Sequence, residues 1–204
     1  AGDLLGGEQS GFINDIGFET YQKILKEAVE ELKSEHFQEL YPNHEPAPKE
    51  VQIDTDLEIL FPDTYINNVQ ERLSCYQTLN DVSNQPALDQ FVNELQDRFG
   101  PLPPTSQALI QSIQLKWLAI ELHFEKIVLK KNKLIGYFDL STNQDFFQSG
   151  QFQFMMKKLQ SHSKKGMLKE RKQGENSRLL LSFENVNTIE EALNSLKELQ
   201  PITA

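Results

Sequence analysis

The segment KIVLKKNKLIGYF, residues 126–138, decides the fold class of this sequence. It contains two short apolar runs, Lys126–Lys130 and Lys133–Phe138, separated by Lys131 and Asn132. Two polar residues between runs of this length are typical of a β-hairpin, because a tight turn leaves its flanking strands adjacent and antiparallel. The segment therefore predicts a hairpin in the second half of the chain.

A second hairpin is predicted further along. The runs Met167–Lys172 and Arg178–Phe183 flank the turn-forming residues Gly174-Glu175-Asn176. A final helix is predicted after it, because Thr188-Ile189-Glu190-Glu191 has the pattern of a capping box before an apolar stripe. Residues near Phe152–Leu159 are predicted to form a short helix between the two hairpins.

Helical patterns dominate the residues before the first hairpin. Alternation followed by an apolar run predicts a strand over Val51–Phe61. Apolar residues at helical spacing then predict helices over Asn67–Asn80, Pro86–Phe99 and 106–123, the last capped by Thr105 or Ser106. Helices first and hairpins later indicate an α+β fold. Its sheet is expected to be mainly antiparallel and packed with several helices, unlike a doubly wound parallel sheet.

The first 50 residues are expected to form a separate region. Residues 1–17 are rich in glycine, whereas Phe18–Leu32 has an apolar stripe opposite an acidic face and predicts a long N-terminal helix. Three prolines within residues 42–48 predict a linker, since proline stops helices and cannot donate to a sheet. We therefore predict an N-terminal segment over 1–41, a linker over 42–50 and a compact domain over 51–204.

Composition and charge exclude several classes of protein. The 204 residues are 38 % hydrophobic and carry a net charge of −10, and no run reaches the roughly 18 apolar residues of a membrane span. Residues 1–100 carry 20 acidic and 6 basic residues, against 10 and 14 in residues 101–204. The acidic half suits a basic protein partner and disfavours avid nucleic-acid binding. The single cysteine, Cys75, excludes an internal disulfide.

The residues predict neither a catalytic nor a metal site. Gly2–Gly7 has the glycine spacing of a phosphate-binding loop, but Glu8 and Gln9 stand where that loop needs Lys and Ser or Thr. Cys75 has no visible base and is expected to be an inert, half-buried thiol. The histidines are too scattered in sequence to indicate a metal site: His36, His44, His123 and His162.

Glu94 and Asp97 form the first surface feature with a possible function. They lie three residues apart on the predicted helix that ends at Phe99, on the face opposite its apolar stripe. Exposed charge is ordinary, so a solvated face without function is one interpretation. The other is an acidic pair that meets arginines of a partner domain, unless Arg98 ties the pair down within its own domain.

Two further clusters allow two interpretations each. A basic run surrounds the second hairpin, and it is either a solvated sheet edge or a contact with nucleic acid or an acidic protein. An apolar cluster before that hairpin is either core or an exposed binding patch. The basic run comprises Lys164, Lys165, Lys169, Arg171 and Lys172. The apolar cluster comprises Phe146, Phe147, Phe152, Phe154, Met155 and Met156.

The opening residues AGDLLGGEQSG, 1–11, resemble the end of a translocation motif shared by two bacterial motor families, the RecG helicases and the transcription-repair coupling factors. The continuation resembles the coupling factors alone, and Glu94–Pro103, ELQDRFGPLP, is its most specific part. Other matching segments are IGFETY at 16–21, VQID at 51–54, FPDTYI at 61–66 and ERLSCY at 71–76. The resemblance runs from residue 1 to about residue 138 and more loosely to the end.

This resemblance implies a piece of an ATP-dependent translocase on duplex DNA that displaces stalled RNA polymerase and recruits nucleotide-excision repair. ATP and Mg²⁺ would bind upstream of this chain, so this piece is expected to hold no cofactor, to be non-catalytic and to act in the cytoplasm, away from membranes. The positions that match the translocation motif are Gly2, Gly6, Gln9, Ser10 and Gly11. Gln9 would help to couple ATP hydrolysis to movement in the intact motor.

The resemblance also implies a role for residues 51–204 as a terminal regulatory domain. Such a domain docks on the UvrB-like module of the same protein and hides the surface that binds UvrA. Glu94 and Asp97 stand where that family places the acidic residues that clamp to arginines of the module. The alternative is an auxiliary DNA-binding module that uses the basic residues 164–172.

Overall fold

The computed structural model describes residues 51–138, 144–161, 166–173 and 176–200. The described residues divide into two compact units, one formed by residues 58–110 and the other by residues 51–57 and 111–200. The strands are β1 (Gln52–Thr55), β2 (Phe124–Lys130), β3 (Lys133–Phe138), β4 (Met167–Gln173) and β5 (Asn176–Glu184). The helices are α1 (Val69–Asp81), α2 (Gln85–Phe99), α3 (Pro104–Glu121), α4 (Gln144–Gln148), α5 (Gly150–Ser161) and α6 (Ile189–Lys197).

The sheet of the second unit confirms both predicted hairpins. Its strand order is β1-β2-β3-β5-β4, and the pairs β2–β3, β3–β5 and β4–β5 are antiparallel. Lys131 and Asn132 have positive φ angles of 51° and 59°, as a two-residue turn between twisted strands requires. The α+β prediction is confirmed, with one addition: β1 pairs with β2 in parallel.

The predicted strand over Val51–Phe61 is too long, because the structure ends β1 at Thr55. The Leu57 N–H donates to Thr55 Oγ1 at 3.1 Å, and the Lys131 N–H donates to Asp56 Oδ2 at 3.0 Å. These bonds turn the chain away from the ladder, since a side chain that bonds nearby backbone competes with strand pairing.

In the first unit, α1 and α2 form where the apolar spacing predicted helices. The Asn68 side chain caps α1 by accepting from the N–H groups of Gln70 and Glu71 at 2.9 and 3.1 Å. The core is built from rings and aliphatic side chains, and Phe61 packs against Tyr76 and Phe91 with ring centroids 5.0 and 6.4 Å apart. These ring contacts join α1 to α2.

Helix α3 begins two residues before the predicted start, so neither Thr105 nor Ser106 is its cap. Ser106 lies inside the first turn and is fully buried. Its hydroxyl donates to the Leu60 carbonyl at 3.1 Å. The predicted cap was wrong because the sequence alone does not distinguish a serine that caps a helix from one that donates to a loop carbonyl.

In the second unit, one face of the sheet is buried. Ile127, Leu129, Leu134, Phe138 and Leu181 alternate along their strands and are each at most 2 % exposed. Helix α5 extends beyond the predicted Phe152–Leu159, and α4 before it was not predicted.

The final helix is confirmed, and its cap takes part of the predicted form. Thr188 Oγ1 accepts from the Glu191 N–H at 3.1 Å, as predicted for a capping box. The Glu191 carboxylate reaches back to the N–H of Asn187 at 2.6 Å, one residue before the cap. The predictions for residues 1–50, which include the long helix, the linker and the motif positions Gly2 to Gly11, lie outside the described residues.

Candidate docking site on helix α2

Helix α2 is held at both ends by local backbone chemistry. At its start, Asn84 Oδ1 accepts from the Ala87 N–H at 3.0 Å, and Pro86 occupies the first turn, where its missing N–H costs nothing. At its end, the Gly100 N–H donates to the Gln96 carbonyl at 2.9 Å. Gly100 has φ +85° and open space around its Cβ position, so its backbone conformation is what requires glycine.

Burial orients the helix and places the acidic pair outside. Leu88, Phe91 and Leu95 are buried at the spacing of one helix face. Glu94 and Asp97 are both exposed. Together with Asn93 and Gln96 they line a shallow, open depression on the surface of the first unit. The structure therefore places the two predicted residues side by side on a free helix face.

The carboxylates of this pair have few partners of their own. Glu94 Oε1 accepts one hydrogen bond, at 2.9 Å from the Gln90 side-chain amide one turn earlier. Asp97 makes no side-chain hydrogen bond or ion pair with any described residue. Both negative charges therefore keep most of their hydrogen-bonding capacity for a partner.

Arg98 does not tie down Glu94 and Asp97, so that alternative is wrong. Its guanidinium pairs with the Glu71 carboxylate of α1 at 3.1 Å. The same guanidinium lies 4.8 Å from the centroid of the Phe99 ring. Arg98 thus points to the Glu71 carboxylate on α1 while its guanidinium also lies over the Phe99 ring of its own helix.

Tyr65 was missed by the sequence reasoning, and it fixes the end of α2. Its hydroxyl donates to the Gly100 carbonyl at 2.8 Å, and its ring packs edge-on against Phe99 at 5.8 Å. The hydroxyl is protonated at neutral pH, as tyrosine ordinarily is, and burial raises its pKa further. Tyr65 and Glu71 lie in two of the quoted segments, FPDTYI and ERLSCY, which was the signal that they belong with DRFG.

Within the described residues, the structure offers no chemistry typical of catalysis or metal binding. No three His, Cys, Asp or Glu side chains there are grouped to hold a metal ion. Cys75 is buried, and burial raises the pKa of its thiol; the Arg98 guanidinium opposes this rise and the Glu71 carboxylate adds to it. A protonated buried thiol is a poor nucleophile.

The apolar cluster serves partly as core. Phe146 and Met155 are buried, and the Phe138, Phe146, Phe147 and Phe152 rings pack with centroids 5.1 to 6.4 Å apart.

In the basic run, Lys169 is exposed on β4. Lys164 and Lys165 lie outside the described residues.

Comparisons with known proteins agree with the fold and with the quoted motifs. Residues 55–149 match the TRCF domain family. The transcription-repair-coupling factor of Haemophilus influenzae is 38 % identical over 132 residues, and that of Escherichia coli is 33 % identical over 127 residues. This chain is similar to the C-terminal region of the transcription-repair coupling factors. Each alignment covers 62 % of the chain and 11 % of the relative, so the chain spans about a tenth of their length.

A solved structure confirms the fold of this region. The crystal structure of a C-terminal domain of transcription-repair coupling factor superposes with a TM-score of 0.56. The superposition covers 76 % of this chain and 98 % of the solved chain, at 20 % sequence identity. None of the helices in the described part is both long enough and apolar enough to cross a membrane.

Proposed function

We propose that this chain is a non-catalytic regulatory module that docks on the UvrB-like module of a coupling factor and masks the surface that binds UvrA. The exposed pair Glu94 and Asp97 on α2 would form the clamp, with arginines on the docked module as partners. The observation that carries this proposal is that both carboxylates face solvent without a cationic partner among the described residues. The family match supports the same assignment.

The position of Asp97 on its helix supports a role other than stability. It lies in the last turn of α2, where the unsatisfied carbonyl groups create a partial negative charge. A carboxylate there is repelled and destabilises the helix, while Arg98 beside it suits the site and is already engaged with Glu71. An unfavourable charge with no partner in its own unit fits a residue that pairs across an interface.

The strength of such a clamp suits a reversible inhibitor. Exposed ion pairs contribute about 0.2–1 kcal/mol each, and pairs that lose water on docking contribute more. Two pairs shift the equilibrium between docked and free states by a few fold to about a hundredfold, which DNA or polymerase contacts elsewhere in the motor can overcome. Masking by Glu94 and Asp97 is therefore expected to be regulated and not permanent.

The test is a titration of the chain against the UvrB-like module of the cognate coupling factor. Wild type is compared with Glu94→Arg/Asp97→Arg by isothermal calorimetry. The matched control is Asp63→Arg/Asp81→Arg, which makes the same change in charge at two exposed residues of the same unit. Asp81 also ends a helix, so both variants relieve an unfavourable carboxylate at a helix C-terminus.

We expect the Glu94/Asp97 reversal to abolish binding and the control to keep it within about threefold, because only the first variant places cations against the module's arginines. Circular dichroism of all three proteins checks that each is folded. Equal binding by wild type and the Glu94/Asp97 variant would show that the clamp is not on α2. Equal loss in both variants would show that only net charge matters.

A further inference from the structure

The second unit carries a sheet face that is separate from the α2 site. Side chains alternate between the two faces of a sheet along each strand. We call the face opposite the buried one the outer sheet face, and five apolar side chains lie on it. They are Val128 on β2, Ile135 and Tyr137 on β3, Leu180 on β5 and Met167 on β4. The register brings Val128, Ile135 and Met167 into one row across the sheet, joined through Ser182.

The outer sheet face is closed along β5, where Leu180 and Ser182 are 7 % and 2 % exposed, and is open on the neighbouring strands. Met167 is 41 % exposed, and Val128, Ile135 and Tyr137 are half-buried. The Tyr137 hydroxyl makes no hydrogen bond to a described residue. On the opposite face, by contrast, Phe138 packs against rings of α4 and α5 in tilted and edge-on geometry.

Charged side chains surround this apolar centre, and positive charge predominates. Four ion pairs lie on the strands: Asp54 with Lys130 and Lys126 at 2.5 and 3.8 Å, Glu184 with Lys133 at 2.8 Å, and Glu125 with Arg178 at 3.9 Å. Lys169 shares its row with Leu180 and Tyr137, is exposed, and has no acidic partner among the described residues. Among the described side chains, these five cations and three carboxylates give the face a net charge of +2, and Lys169 is the cation of the five that has no carboxylate partner.

We infer that the outer sheet face binds an acidic, amphipathic protein segment, with its apolar stripe on Val128, Ile135 and Met167 and its carboxylates near Lys126 and Lys169. Charge complementarity carries the choice of partner: the face has surplus positive charge around an aliphatic centre. Nucleic acid fits less well. Tyr137 is the only aromatic side chain among the five, whereas base-binding sheets stack successive bases on several rings, and the interleaved carboxylates repel phosphate.

The test uses the whole chain and a designed peptide as probe. The peptide has 21 residues, with Leu at helical spacing on one face and Glu on the other; a matched peptide carries Lys in place of Glu, and a 20-nucleotide single strand is the third probe. Binding is measured by fluorescence anisotropy, and its location by amide shifts of the ¹⁵N-labelled chain. The variants are Lys169→Glu, the control Lys197→Glu at an exposed position of α6, and Ile135→Thr, which keeps a β-branched side chain and so preserves the strand.

We expect the acidic peptide to bind at least tenfold more tightly than the basic one and to shift amides of β2, β3 and β4. Lys169→Glu should weaken that binding about threefold to tenfold, as expected for one reversed rim charge, while Lys197→Glu changes it less than twofold. Ile135→Thr should weaken it by a similar factor. No binding of the acidic peptide, equal binding of both peptides, equal effects of the two lysine variants, or tighter binding of the oligonucleotide would each overturn the inference.

Discussion

Replacing Tyr76 by Phe removes a single oxygen from the core of the first unit, and the structure predicts its cost. The Tyr76 hydroxyl accepts a hydrogen bond from the Phe61 N–H at 2.9 Å. Tyr76 and Phe61 are 1 % and 0 % exposed, so water cannot replace the lost acceptor. An unsatisfied donor of this kind costs about 1–3 kcal/mol, and the ring contacts that join α1 to α2 are retained.

Tyr65→Phe is the matched control, because it removes the same atom in a different setting. The Tyr65 hydroxyl bonds the Gly100 carbonyl, and both residues are half-buried. Water can reach that carbonyl once the hydroxyl is gone, so the expected cost is about 0.5–1.5 kcal/mol. Both variants lose one hydroxyl, so the difference between their free energies of unfolding measures the effect of burying the backbone group that is left without a partner.

The assay is urea unfolding followed by far-ultraviolet circular dichroism. With a slope of about 2 kcal/mol per molar urea, a loss of 2 kcal/mol lowers the midpoint by about 1 M. We expect Tyr76→Phe to lower the midpoint more than Tyr65→Phe does. An unchanged midpoint for Tyr76→Phe, or a larger fall for Tyr65→Phe, would refute the assignment of the Phe61–Tyr76 bond as a buried, water-excluded interaction.

Three further predictions concern other parts of the structure. Asp97→Asn should stabilise the chain by about 0.3–1 kcal/mol in urea unfolding, since it removes a carboxylate from a helix C-terminus; a loss of stability would contradict this. Gly136→Ala should cost about 1–3 kcal/mol in the same assay, because a Cβ there lies 2.5 Å from the packed Phe124 ring; an unchanged midpoint would show that the ring gives way. Burial raises the folded-state pKa of the Cys75 thiol. The contribution of this thiol to the free energy of unfolding is therefore complete below the unfolded-state pKa of about 8.5 and is lost as pH rises further. The stability difference between wild type and Cys75→Ala should therefore shrink between pH 8 and pH 11, and a constant difference would contradict the shift.

The hairpins and most helices were predictable because their signals are local. Lys131-Asn132 sits between two apolar runs, and the turn it forms needs no information from the rest of the chain. The parallel pairing of β1 with β2 joins Ile53 to Ile127 across more than 70 residues, and no local pattern specifies such a partner. The same holds for the end of β1, since the bond from Lys131 to Asp56 exists only once the hairpin has formed.

The candidate site was predictable in position but not in its partners. Helical spacing alone places Glu94 and Asp97 opposite Leu88, Phe91 and Leu95. Whether Arg98 pairs with them depends on the packing of α1, which brings Glu71 within 3.1 Å. Arg98 therefore pairs with Glu71, 27 positions away, and not with the acidic residues beside it in sequence. Tertiary packing decides which carboxylate a long side chain reaches.

The proposal that Glu94 and Asp97 help to mask the UvrA-binding surface is tested most directly by competition. UvrA is titrated onto the immobilised UvrB-like module with the chain present at ten times its own dissociation constant. Wild type should raise the apparent dissociation constant of UvrA about elevenfold, as simple competition requires, whereas Glu94→Arg/Asp97→Arg should leave it unchanged. UvrA binding that is unaffected by the wild-type chain, or reduced equally by both proteins, would contradict the proposed docking.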